Sequence, residues 1–71
     1  MAKRSTGVVR WFDGSKGYGY IDAEDGEGVF VHYTDIADEG PPLLLEGDQV
    51  AFFIKYTMVR GPQAIDVSRL N

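Results

Sequence analysis

Short runs of Val, Ile, Phe and Tyr, broken by glycine and proline at intervals too short for a helix, set the pattern of this chain. Gly14, Gly17, Gly26, Gly40, Gly47 and Gly61 fall at or near turns, and the segments between them suit a pleated, half-buried surface. The pattern predicts strands over about 6–13, 17–23, 28–34, 48–57 and 62–69. Asp35-Ile36-Ala37-Asp38 predicts one helical turn, which Pro41-Pro42 keeps from extending. No repeat, low-complexity tract or linker divides residues 1–71, so they read as one all-β domain. A lone small sheet cannot hide its apolar face, and no helix is predicted to cover it. Five strands curled into a barrel solve both problems, because closure also removes most of the edges. Strand number alone does not exclude an SH3-like barrel.

Alternation along the strands assigns the faces. In Lys16-Gly17-Tyr18-Gly19-Tyr20-Ile21, the core residue Ile21 turns Tyr18 and Tyr20 outward. In Val29-Phe30-Val31-His32-Tyr33, the two valines face inward, Phe30 and His32 face outward, and Tyr33 ends the strand. A hairpin through Glu24-Asp25-Gly26-Glu27 makes these outward rings neighbours and sets Lys16 beside them. Phe12 and Phe52 read as core. Gly17 and Gly19 weaken the second strand, so they are expected to serve something other than its stability. The resulting patch is a solvent-facing aromatic platform, and a large exposed apolar patch marks a binding surface.

Composition narrows what that surface binds. The 71 residues carry seven Lys and Arg against eleven Asp and Glu, a net charge of −4 that opposes long-range attraction to a polyanion or an anionic membrane. With no cysteine and a single histidine, His32, neither a disulfide framework nor a zinc site is expected. No apolar run approaches the roughly 20 residues needed to span a bilayer, and no secretory signal is read at the N-terminus, so a reducing, cytoplasmic setting is expected. Asp22, Glu24, Asp25 and Glu27 lack the spacing of a calcium loop and read as a solvated hairpin. No catalytic group, metal or cofactor is expected: His32 has no evident nucleophile partner, and no phosphate-cradling loop is present.

Two ligands want flat rings in a row. Unpaired nucleobases stack at about 1–3 kcal/mol each, and a lysine such as Lys16 can meet the phosphate between them. Proline-rich peptides also dock on aromatic grooves. Periodicity alone leaves both open.

The residues themselves go further. Gly7-Val8-Val9-Arg10-Trp11-Phe12, Lys16–Ile21, Val29–Tyr33, Leu45-Glu46-Gly47-Asp48-Gln49-Val50 and Arg60-Gly61-Pro62-Gln63-Ala64 together resemble the bacterial cold-shock protein family, in order and over nearly the whole chain. The resemblance implies a five-stranded antiparallel OB-fold barrel that binds single-stranded RNA and DNA. It implies contacts by Trp11, Lys16, Tyr18, Tyr20, Phe30, His32, Tyr33 and Arg60, an RNA-chaperone role without ATP, and a monomer. An RNA-recognition-motif domain shares Lys-Gly-Tyr-Gly-Tyr, but here that run precedes Val-Phe-Val-His-Tyr, the reverse of that fold's order.

The chain departs from the family pattern in places. Asp13 stands where asparagine is usual, Gly28 where aspartate is, and Pro41 lies near the position of a stacking aromatic. Tyr56-Thr57-Met58-Val59 is longer and more apolar than the usual turn. Phe53, Met58 and Val59 are a candidate self-association surface, weighed equally against packing at a barrel end.

Overall fold

An odd number of strands cannot alternate in direction all the way round a closed ring, and that arithmetic shapes this barrel. The computed structural model describes residues 4–37 and 40–70. Its strands are β1 (Ser5–Asp13), β2 (Tyr18–Ala23), β3 (Gly28–His32), β4 (Gln49–Thr57) and β5 (Gly61–Arg69), closed in the order β1-β2-β3-β5-β4. Four ladders are antiparallel. The fifth, between β3 and β5, is parallel and consists of one pair, Phe30 with Gln63. The expected five-stranded antiparallel barrel is therefore present, closed by one short parallel seam.

The β2–β3 hairpin turns through Glu24–Glu27 as expected, with the Ala23 amide donating to Glu27 O across it. The helical turn lies earlier than 35–38. It is a 3-10 turn at Tyr33–Asp35, and Asp38 lies outside the described residues. It forms where it does because His32 caps it: the His32 side chain accepts from the Thr34 amide, and the Tyr33 amide donates to Gly17 O.

The core follows the predicted faces. Val9, Ile21, Val29, Val31, Leu44, Val50, Phe52, Ala64 and Val67 are fully enclosed, with Phe12, Ile36 and Ile54 packed against them. Burying each such aliphatic or aromatic side chain contributes about 1.5–3 kcal/mol, and all of it drives the β-branched faces inward.

One departure from alternation decides the outer face. Val9 pairs with Ile21 and Trp11 with Tyr20, so Arg10 is an extra residue in β1, a β-bulge. Strict alternation from buried Val9 would send Trp11 inward. The bulge instead leaves both Arg10 and Trp11 exposed and turns Phe12 toward the core.

Gly19 sits beside that bulge. A Cβ there would lie 2.2 Å from Trp11 O and 2.8 Å from Phe12 Cα, so no side chain fits. Gly17 has φ +78°, and a Cβ there would lie 2.7 Å from the Tyr33 ring. Gly19 is thus a packing requirement and Gly17 a conformational one, contrary to the expectation that they serve something other than stability. Gly28 has only Arg10 Nη2 nearby, at an ordinary 3.8 Å.

Gly19→Ala is therefore expected to destabilise by about 1–3 kcal/mol through overpacking, lowering Tm by roughly 4–8 °C for each kcal/mol in a domain this small. Gly28→Ala should stay close to the parent. Thermal melts of both variants followed by far-UV circular dichroism check this, and equal melting temperatures would contradict the close approach of β1 and β2.

Candidate nucleic-acid interface

The bulge and the pleat together bring Trp11, Tyr20 and Phe30 into line across three adjacent strands, since Trp11 pairs with Tyr20 and Tyr20 with Phe30. Tyr18, two residues before Tyr20, shares their face and pairs with His32. Four rings close a circuit. Centroids lie 5.6 Å apart for Trp11–Tyr18, 5.8 Å for Trp11–Tyr20, 5.9 Å for Tyr18–Phe30 and 5.9 Å for Tyr20–Phe30. These separations are those of favourable edge and offset contacts. His32 and Tyr33 form a second pair at 4.6 Å beside it.

Exposure differs among the rings. Trp11 and Tyr33 are exposed, while Tyr18, Tyr20 and His32 are half-buried. Phe30 lies on the outer face as expected and outside the core cluster, yet is only 4% exposed. The sequence reading left its ring in water; the structure covers it, because the Arg60 guanidinium carbon sits 4.4 Å above the ring centroid and the two tyrosines flank it.

The cations divide into two kinds. Arg10 donates from Nε to Asp22 Oδ1 at 2.9 Å and also from Nη2 to the same oxygen. That pairing raises the Arg10 pKa and lowers that of Asp22. Arg4 lies over the Phe53 ring at 5.2 Å and reaches Ser68 Oγ at 3.2 Å, so Phe53 is half-buried beneath it. Lys16, at the β1–β2 turn, and Arg60, at the β4–β5 turn, are exposed. Lys16 and Tyr33 line a shallow depression of about 210 Å³ with Gly14, Ser15, Gly17 and Pro42. Pro41, by contrast, is held at its carbonyl by Arg69 at 2.9 Å.

All eight predicted residues fall on or beside this one surface. Asp22, read from sequence as part of a solvated hairpin, lies in β2 and pairs with Arg10, the bulged residue of β1. Asp13 turns out to serve the turn: its Oδ1 accepts from the Ser15 amide at 3.0 Å, the Ser15 hydroxyl at 2.7 Å and the Lys16 amide at 3.1 Å. Met58 and Val59 are fully open to solvent at the tip of the β4–β5 hairpin, and the Tyr56 hydroxyl reaches Glu27 Oε1 at 3.4 Å.

Such a surface defines a class, a small barrel with an external aromatic face, and comparison with known proteins supplies the family. The 'Cold-shock' DNA-binding domain matches residues 5–70. The chain is 50% identical over 64 residues to cold shock protein CspB of Bacillus caldolyticus and 48% to cold shock-like protein CspD of Bacillus cereus, covering 90% of this chain and 96% of each relative. A solved structure, Drosophila Unr CSD456, superposes with a TM-score of 0.77 at 24% identity, over 99% of this chain and 28% of that one. This chain belongs to the cold-shock domain family, a nucleic-acid-binding and non-enzymatic one, and its barrel is the OB-fold type.

The Asp13 contacts generate a pH dependence. They hold its carboxyl below the ordinary value, led by the Ser15 hydroxyl. A lowered folded pKa stabilises above the unfolded value of about 3.9 and loses that contribution as pH falls through the folded one. Asp13→Asn keeps the accepting oxygen but cannot titrate, so its Tm should drop less than the parent's between pH 7 and pH 3. Equal drops in parallel melts would contradict the assignment.

Proposed function

We propose that this chain is a cytoplasmic, monomeric binder of single-stranded RNA and DNA. Unpaired bases stack on Trp11, Tyr18, Tyr20, Phe30, His32 and Tyr33, while Lys16 and Arg60 meet phosphates. The observation that carries this reading is the closed circuit of four rings on the outside of the barrel. Rings in contact hold one another in place, so little side-chain freedom is lost when a base arrives.

The chemistry needs no energy source. A protein that binds only unpaired bases lowers the free energy of the open strand and shifts folded RNA toward it by linkage, in proportion to its concentration over its dissociation constant. That makes it an RNA chaperone acting without ATP, able to regulate transcription or translation by keeping strands open.

Titration with a short oligothymidine should quench Trp11 fluorescence, and a proline-rich peptide should not; the reverse result assigns the rings to peptide docking. Tyr18→Ala should weaken oligothymidine binding by at least about 1 kcal/mol, roughly fivefold, without unfolding the barrel. Phe30→Ala should weaken it as much, but its covered ring also contributes to stability, so its melt must be measured beside its affinity. Two to three phosphate contacts correspond to a log–log salt slope of about −1.4 to −2.1. A slope steeper than about −4 would make phosphate contacts, and not stacking, dominant.

A further inference from the structure

Phe30 cannot stack on a base as it stands. Its ring is 4% exposed, and the group that covers its outer side is the exposed Arg60 side chain. A planar guanidinium over an aromatic face occupies the same slot that a nucleobase would fill.

The way Arg60 is held makes this cover removable. Its amide donates to Thr57 Oγ1 at 2.9 Å, and Thr57 Oγ1 in turn donates to Gly61 O at 3.2 Å, so the main chain at the hairpin tip is fixed. The guanidinium has no hydrogen-bond or ion-pair partner among the described residues and rests on the Phe30 ring. Arg10 and Arg4 contrast with it, each tied to oxygen acceptors. An arginine anchored at its backbone, resting on a ring and otherwise unpaired, is placed to swing a short way without losing any polar partner.

We propose that Arg60 is an internal stand-in for a base: in the free protein its guanidinium caps Phe30, and an arriving base displaces it onto the phosphate of the same strand. One side chain thereby changes from a competitor of stacking into a contact for the ligand. This rests on the single-strand binding proposed above and adds to it a displacement step at one ring.

The handover predicts two opposing effects of Arg60→Ala, which removes both the competitor and the phosphate contact. The salt slope for oligothymidine should become shallower by about 0.7, the value of one phosphate contact on a single strand. The lines for variant and parent should therefore cross, with the variant weaker at low salt and at least as tight at high salt. A variant weaker at every salt concentration, or tighter at every one, overturns the handover. Proton NMR reads the same event directly. The Arg60 Cδ protons should lie upfield in the free protein, under the Phe30 ring current, and move downfield in step with Trp11 quenching as oligothymidine is added. Protons that start unshifted, or stay upfield at saturation, overturn the proposal. Failure of the parent protein to bind oligothymidine would overturn the proposed function, whereas binding with salt lines that do not cross overturns the displacement alone.

Discussion

A closed barrel of five short strands has one interior, and it is small enough that only one face of each strand can enter it. Everything else in this protein follows from which side chains take that space. Val9, Ile21, Val29, Val31, Leu44, Val50, Phe52, Ala64 and Val67 fill it, so the residues that alternate with Ile21, Val29 and Val31 along β2 and β3 turn outward. Tyr18, Tyr20, Phe30 and His32 alternate with Ile21, Val29 and Val31. The aromatic face is thus the necessary counterpart of the aliphatic core, and a register slip of one residue would exchange the two.

Much of this could be read from the chain because period-two patterning needs no tertiary knowledge. The five strands, the β2–β3 hairpin and the inward placement of Ile21, Val29, Val31 and Phe52 were all legible. The position of Trp11 was not, since alternation from Val9 points it inward; only resemblance to the family placed it in the site, and the Arg10 bulge supplies the physical reason. The cover on Phe30 was equally hidden, because Arg60 is thirty positions away in sequence and reaches the ring through the β4–β5 hairpin. Gly17 and Gly19 carried an ambiguous signal. They look like a weakness in a strand, while Gly19 is needed for a close approach to the β1 backbone and Gly17 for a positive φ beside the Tyr33 ring, neither of which a local pattern reveals.

Electrostatics plays a supporting part. With a net charge of −4, the molecule as a whole does not draw a polyanion toward it, and several of its arginines are engaged internally: Arg10 with Asp22, Arg4 with Ser68 and Asp66, Arg69 with Pro41 and Leu43 carbonyls. Asp13, which stands where asparagine is usual in the family, is committed to its own turn. Lys16 is exposed at the β1–β2 turn, and Arg60 lies over the Phe30 ring; under the proposed function these two meet the phosphates. In that reading, such a distribution leaves stacking, more than charge, as the source of affinity.

In the proposed function the outer aromatic circuit, and no other face of the barrel, receives the bases. Mapping oligothymidine binding by NMR chemical-shift perturbation tests it most directly. The largest changes are expected at the Trp11 indole N–H and at Tyr18, Tyr20, Phe30 and His32, while Val8, Gln49 and Leu70, which line a separate groove, stay near-silent. Saturable binding whose perturbations centre on Val8, Gln49 and Leu70, with the rings unchanged, would contradict it.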